Sequence, residues 1–374
     1  MADHKIHVEE VKNRNDLMSF IRLPWAIYQG DRYWVPPLIK DQLYKLSPNH
    51  PFHSHAEMAL FLAYRGSKVV GRIAGIIDRH YIEFHQEKVG FFGFFETVED
   101  EEVAESLFSK VKDWLKKRGM QKALGPMNPS TNDECGLLIE GFQSPPVLMM
   151  PYNPIYYSSF LESLGWKKAM DLYAYRIEKT TLMEGQLSRI AELSKRREPE
   201  LWVRPIRLKQ IEEELKTIKE IYNQAWSRNW GFVPMTEEEI DDLAKNLIPL
   251  VIPELVLLVY LKEEPIGFSV ALPDYNQVLK HLNGRIGLFG GIKYLYYRRK
   301  IKTVRMMLLG IKHGFQKRGA EGLLYAETIK NGLQKGFEAA ECSWILENNH
   351  LMKHGIESLG GKHYKTYRIY ECPL

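Results

Sequence analysis

The residues with the clearest chemical potential lie in the last part of the chain. Gln316-Lys317-Arg318-Gly319 stands between an apolar strand and a helix. The first backbone N–H groups of a helix are unpaired donors with partial positive charge, so a glycine turn with two cations there suits a pyrophosphate. Farther on, Glu341 and Glu347 bracket the short run Glu-Cys-Ser-Trp-Ile-Leu-Glu. A carboxylate so placed can take up a proton. Cys342 alternates to the opposite face from Glu341, which makes it a core thiol rather than a nucleophile. Two irregular stretches are too specific to be mere connectors. Gly125–Phe142 carries Asn128, Asn132 and Glu134, and Trp226–Pro234 carries Asn229 and Trp230. Loops of this kind in a compact domain are often functional, and these five residues are expected to bind substrate. His50, His53 and His55 have no acid or cysteine nearby, so no metal is expected.

The elements that position these residues come in two copies. Glu162-Ser163-Leu164-Gly165 precedes Tyr175-Arg176-Ile177, and Glu357-Ser358-Leu359-Gly360 precedes Tyr367-Arg368-Ile369. At the same offset, Val69-Val70-Gly71 matches Pro265-Ile266-Gly267. Repeats of this length are domains rather than solenoid units. In the first copy, strands are expected at Ile6–Val11, Ala59–Tyr64, Val69–Ile77, Val89–Phe95, Lys122–Gly125 and Tyr173–Ile177. Helices are expected at Arg14–Tyr28, Glu102–Lys117 and Tyr156–Ser163. Val103, Leu107, Val111 and Leu115 recur every four residues, as one helical face requires, and Gly119 suits the end of that helix. The second copy has expected strands at Leu201–Ile206, Leu255–Tyr260, Ile266–Ala271, Thr303–Ile311, Glu341–Leu346 and Thr366–Tyr370. Its helices are expected at Ile211–Trp226, Ala320–Gln334 and Asn349–Ser358. The domains are therefore 1–180 and 201–374, with 181–200 as a linker helix.

The bulk numbers fit this. A chain of 374 residues with 45% hydrophobic content can fill two cores. Its net charge of +4 argues against a dedicated nucleic-acid binder. Three scattered cysteines suit a reducing cytoplasm. The N-terminal residues form no apolar leader, and no apolar run is long enough to span a membrane. Leu288–Lys300 joins an apolar aromatic stretch to a basic cluster, a pattern suited to anionic lipid or an acidic carrier protein.

The order of elements resembles that of the GNAT (GCN5-related) N-acyltransferases, and Gln316 and Gly319 match their phosphate loop. Asn349 and Gly360 also fall at positions of the GNAT pattern. Glu321 stands where a small residue is usual, and Ile356 where many members carry a tyrosine acid. GPMNPSTNDECGLLIEGF, PYNPIYY, NWGFVPMTEEE and CSWILENN resemble a bacterial double-GNAT family distantly similar to ceramide synthase-like acyltransferases.

The resemblance implies an α/β (α+β) fold of two tandem GNAT-like domains, each a mixed, mostly antiparallel sheet flanked by helices. It implies transfer of an acyl group from acyl-CoA, acetyl-CoA or an acyl-carrier protein to an amine acceptor, such as a lipid amine. Leu309, Ile311, Gln316, Lys317, Arg318, Gly319, Ala320 and Asn349 would then hold the donor. Glu341 is the favoured base and Glu347 the alternative, with Tyr364 or Tyr367 as the acid. The first copy carries Glu96, Glu99, Asp100, Glu101 and Glu102 at its helix start, which places like charge where a phosphate would sit, so it is expected to bind no CoA. The competing expectation is a catalytically silent protein that binds an acyl carrier or lipid as sensor or scaffold. The expected location is cytoplasmic, peripheral to a membrane if the acceptor is a lipid.

Overall fold

The computed structural model describes residues 5–374, with every side chain but that of Leu288. The first half runs β1 (Ile6–Glu10), α1 (Arg14–Ile27), α2 (Ile39–Lys45), β2 (Ala56–Arg65), β3 (Lys68–Asp78), α3 (Arg79–His85), β4 (Val89–Thr97), α4 (Glu101–Lys116), β5 (Lys122–Gly125), β6 (Met127–Asn128), β7 (Glu134–Cys135), β8 (Leu137–Glu140), α5 (Tyr157–Ser163) and β9 (Lys167–Glu178). The second runs α6 (Gln186–Arg197), β10 (Leu201–Pro205), α7 (Ile211–Trp226), α8 (Glu237–Leu247), β11 (Val256–Leu261), β12 (Glu264–Pro273), α9 (Asn276–Leu279), α10 (Leu288–Arg298), β13 (Thr303–Ile311), α11 (Ala320–Gln334), β14 (Ala339–Leu346), α12 (His350–Ser358) and β15 (Lys362–Pro373). Every expected strand and helix is present. Helices α2, α3, α8 and α9 are additions, the stretch 288–300 is largely helical, and the irregular stretch after Gly125 contains three short strands.

These elements pack as two compact units that are not consecutive in sequence. Unit 1 comprises the chain up to Leu172, Val278–Tyr294 and Lys365–Leu374. Unit 2 comprises Tyr173–Gln277 and Leu295–Tyr364. Strands β9 and β15 each change unit part way along.

In unit 1 the order is β1-β2-β3-β4-β5, antiparallel except for the parallel pair β4–β5. The end of β15 then pairs with β5, from Tyr370↔Gly125 to Pro373↔Lys122. In unit 2 the order is β10-β11-β12-β13-β14, again antiparallel except for β13–β14, with β9 beside β14. Each sheet is thus finished by the last strand of the other repeat. Side chains pin the exchange. In unit 1, Arg368 makes two hydrogen bonds to Asp171, at 2.8 and 3.1 Å, and the Tyr370 hydroxyl donates to Glu162 at 3.1 Å. Burial pushes the Asp171 pKa up, but Arg368 and Lys168 outweigh it and hold the carboxyl below its ordinary range. In unit 2 the Tyr175 hydroxyl donates to Glu357 at 3.2 Å. The repeated Glu-Ser-Leu-Gly turn therefore supplies, in both units, the acceptor for a tyrosine of the exchanged strand.

Helix α4 shows how the sequence builds a unit. Val103, Leu107, Val111 and Leu115 are all fully buried, each contributing roughly 1.5–3 kcal/mol by leaving water. Asp100 caps the helix by accepting the Glu102 N–H at 3.1 Å and also meets Arg65 at 2.6 Å. The start of this helix is thereby occupied by its own acid.

Both units interrupt the parallel pair in the same way. The β4–β5 ladder ends at Phe91↔Leu124, and β13–β14 ends at Met306↔Cys342. Just beyond, each central strand bulges. Two residues of β4, Phe94 and Phe95, oppose the single Ile73 between the Arg72↔Glu96 and Ala74↔Gly93 pairs. In β13, Met307 falls between the Leu308↔Val270 and Met306↔Ala271 pairs. A bulge bends the strand and leaves its extra residue unpaired. In unit 1 this gap is filled by the chain itself. The Asn128 side chain accepts the Phe94 N–H at 2.6 Å. A Cβ on Gly93 would sit only 1.7 Å from the Met127 carbonyl oxygen, so only glycine lets this plug lie against the strand. Lys45 backs it, donating to the Asn128 carbonyl at 3.1 Å and pairing with Asp133 at 3.6 Å. Burial works against the Lys45 charge, but Asp133 and Glu134 prevail and raise its pKa.

Two outcomes follow from this architecture. Fragments 1–180 and 201–374, expressed separately, each lack the strand that closes their sheet, so neither should show a cooperative melt or dispersed amide spectra, whereas the full chain should show both. Asn128→Ala leaves the Phe94 N–H buried and unpaired, which should lower stability by about 1–3 kcal/mol in urea denaturation. An unchanged midpoint would remove the plug from the account of unit 1.

Candidate active site

In unit 2 the corresponding gap opens between β13 and β14. Leu309 and Ile311, both buried, lie on the part of β13 past the last β14 pair. Across β13, Gly310 meets the Trp226 ring of α7. A Cβ there would approach the ring to 2.1 Å, so glycine is what allows the aromatic cover. Tyr222 and Phe268 complete that cover, with ring centroids 4.9 and 5.7 Å from Trp226.

Glu341 lies on β14 with its side chain fully buried. A buried carboxylate is costly unless hydrogen-bonded. Here Ser343 donates to Oε1 at 2.6 Å, and the Tyr364 hydroxyl contacts Oε2. Arg305, the register partner of Glu341 on β13, donates from Nε to Ser343 Oγ at 3.1 Å and from a terminal nitrogen to the Ser343 carbonyl at 3.2 Å. Tyr364 is half-buried, so the chain carboxylate–hydroxyl runs from the interior toward solvent. Two of the expected catalytic residues, Glu341 and Tyr364, are thus in contact. Glu347 lies past the end of β14, in the turn before α12, where its carbonyl accepts from Lys353. Tyr367 is fully buried in the part of β15 that belongs to unit 1. Arg305 and Ser343 were not foreseen. A single arginine in an apolar strand, and a serine two residues from Glu341 on the same strand face, were the available signals.

Cys342 points the other way. It lines an apolar cavity of about 40 Å³, walled by Val304, Met306, Tyr325, Leu333 and Phe337 among others. Burial and the nearby Glu341 charge push its thiol up to about 12, so it stays protonated at neutral pH and is a poor nucleophile.

The turn before α11 has Gly319 as its N-cap, with φ +102°. Helix α6 lies against it: a Cβ on Gly319 would be 2.9 Å from the Ser194 Cα. Arg197 donates to the Lys317 carbonyl at 3.3 Å, and Arg318 meets Glu198 at 3.5 Å. Glu321, where a small residue was expected, accepts the Lys317 backbone N–H at 3.0 Å. One donor of the turn is therefore taken internally. Gln316 donates weakly to the Ile311 carbonyl at 3.4 Å, and Ala320 is buried at the first turn of α11. Just upstream, His313 Nε2 is buried with no hydrogen-bond partner, as is Asn223 Oδ1 on α7. Asn349 caps α12, accepting the Met352 N–H at 3.2 Å. Ile356 is fully buried in the same helix.

The expected substrate residues fall in both units. Asn128 and Glu134 are register partners in the β6–β7 ladder of unit 1, and the Asn132 N–H donates to Ser130 Oγ at 3.1 Å. Asn229 and Trp230 are half-buried in the turn after α7 in unit 2, with the Asn229 N–H donating to the Trp226 carbonyl at 2.8 Å. Among the described residues there is no group of three or more His, Cys, Asp or Glu that could hold a metal. Of the three histidines considered for metal, His55 pairs instead with Asp78 at 2.9 Å.

No protein-family model matches the chain. It is 38% identical over 380 residues to the bacterial ceramide synthase of Caulobacter vibrioides (strain NA1000 / CB15N), covering 99% of this chain and 98% of that protein. It is 34% identical over 378 residues to the protein YghO of Escherichia coli (strain K12), covering 99% and 96%. A solved tandem GNAT protein from the clavulanic acid biosynthesis pathway shares the fold, with a TM-score of 0.57 over 99% of this chain and 98% of that one at 10% identity. Two GNAT units in tandem and relatives aligned over nearly their whole length give one conclusion: the chain belongs to the family of the bacterial ceramide synthase and YghO, a family of GNAT-fold acyltransferases.

Proposed function

We propose that unit 2 transfers a fatty acyl group from a thioester, of CoA or of an acyl-carrier protein, to the amine of a lipid-borne acceptor at a membrane surface. The observation that carries this reading is the buried Glu341 carboxylate, tied to Tyr364 and Ser343 on the strand that parts from β13 at the bulge. An amine of pKa about 10 is mostly protonated at neutral pH, so attack needs a base. Tyr364 passes the amine proton to Glu341. The free amine attacks the thioester carbonyl, and backbone N–H groups of β13 beyond Met306 support the oxyanion. The nitrogen loses its second proton to solvent, the intermediate collapses with cleavage of the C–S bond, and the proton held by Glu341 returns through Tyr364 to the leaving thiolate.

Several features support the donor assignment. Lys317 and Arg318 supply positive charge beside the α11 N-terminus, and Leu309 and Ile311 line the gap that the pantetheine would enter. The orphaned His313 Nε2 is a polar atom that a bound donor could satisfy. The printed name of the Caulobacter relative supports a lipid amine as acceptor, with Asn229 and Trp230 of unit 2 as proposed contacts. A second reading, a silent acyl-carrier or lipid sensor, is favoured by Glu321, which takes a loop donor that phosphate would use.

Glu341→Gln should lower kcat by about 10²–10⁴ with CoA affinity unchanged, read by thiol release and calorimetry. Tyr364→Phe should give a smaller loss of the same kind. Wild-type turnover in both variants would remove Glu341 as the base, whereas donor binding without turnover in the wild type would favour the sensor. Glu321→Gln removes a like charge and frees a donor, so it should tighten CoA binding several-fold. A wild-type protein that gives no heat with CoA, a long-chain acyl-CoA or an acylated carrier protein would rule out the donor site.

A further inference from the structure

Helix α10 is an amphipathic helix with its apolar side outward. Phe289 is 78% exposed and Ile292 65%, and Leu295, Tyr296 and the preceding Ile286 are all more than half exposed. The half-buried positions are Gly290, Gly291, Tyr294 and Tyr297, whose spacing of three and four residues marks the opposite face. A helix serving only a core would do the reverse. Contiguous exposed apolar surface of this kind marks an interaction site.

The charge around it is one-sided. From Tyr275 to Lys300 the chain has no Asp or Glu and six Lys or Arg, although the whole protein carries only +4. Lys293, Arg298, Arg299 and Lys300 stand on or just after α10 and are exposed. The Lys300 ammonium lies 4.1 Å from the Tyr296 ring centroid and donates to the Tyr296 hydroxyl at 2.6 Å. That places a cation at the polar end of an amphipathic ring, the arrangement suited to a headgroup layer. The segment before the helix is fixed within unit 1. Asn283 accepts the Trp25 indole N–H at 2.9 Å, and the Gly284 carbonyl accepts the Ile39 N–H at 3.0 Å. The exposed face is therefore carried on an anchored base.

We infer that α10 docks the protein on an anionic lipid bilayer, with Phe289, Ile292, Leu295 and Tyr296 entering the headgroup–acyl boundary and Lys293, Arg299 and Lys300 meeting lipid phosphates. The aromatic and aliphatic residues decide between partners. An acidic carrier protein is met by charge alone, whereas four bulky apolar side chains in a row gain most from an acyl layer. This inference deepens the reading of a lipid-borne acceptor, but it is measured without turnover, so either can fail alone.

The test is co-sedimentation of the full chain with vesicles of phosphatidylcholine, with and without phosphatidylglycerol. Binding is expected only to the anionic vesicles and should weaken as salt is raised. The double variant Phe289→Ser, Ile292→Ser should lose binding. The double variant Lys293→Gln, Arg299→Gln should weaken it about thirtyfold. Both variants should melt like wild type, since the altered side chains are exposed. No wild-type binding to anionic vesicles, or unchanged binding by both variants, would overturn the inference. So would a gel-filtration shift from dimer to monomer in the apolar variant with vesicle binding intact, which would make a second copy the occupant. Loss of carrier-protein binding in the charge variant, with vesicle binding intact, would overturn it as well.

Discussion

The chemistry of this protein depends on where two parallel strands stop pairing. A parallel ladder satisfies the backbone of both strands, and a buried N–H without a partner costs about 1–3 kcal/mol. When β13 bulges and β14 departs after Met306↔Cys342, that requirement is left standing along the edge of β13. Such an edge must be covered by more protein or by a ligand. Unit 1 covers its own with Met127 and Asn128. Unit 2 leaves the place to the proposed thioester, whose carbonyl and pantetheine amides are the right kind of partner. One interruption, inherited twice, thus becomes a structural joint in one unit and the centre of the proposed reaction in the other.

The same strand geometry separates the tasks within unit 2. Side chains alternate across a strand, so Arg305, Glu341 and Ser343 share one face while Met306 and Cys342 line the apolar cavity on the other. The hydrogen-bonded polar group and the apolar cavity are therefore kept on opposite sides of one strand. The bulge at Met307 resets the alternation, so that Gly310 faces α7 and accepts Trp226. Without that extra residue a different set of side chains would meet the helix.

Much of this was legible in the sequence because periodicity and repetition are local properties. The four-residue recurrence in α4, the Gly-ended turns and the matched Glu-Ser-Leu-Gly segments gave both sheets and the inequality of the two helix starts. The capping box of α8, Thr236 with Glu239, is a local signal of the same kind. Asn128 was expected as a substrate contact, and its hydrogen bond to Phe94 joins residues distant in sequence. Arg305 with Ser343 is of the same kind. The strand exchange has no local signature at all. Tyr175 and Tyr370 look like ordinary strand residues until their acceptors, Glu357 and Glu162, are known.

That exchange has a consequence for the life of the chain. A ribosome delivers residues in order, and domains usually fold as they emerge. Here β5 receives its antiparallel neighbour from Tyr370–Pro373, in the last strand of the second repeat. Unit 1, although first out, stays an open sheet with an unpaired edge until β15 has emerged, and such edges invite wrong partners. Unit 2 receives β9 early, before its own strands exist. The duplicated protein therefore completes its sheets in the reverse of the order in which its repeats begin: unit 2 has all its strands once β14 is made, while unit 1 waits for β15.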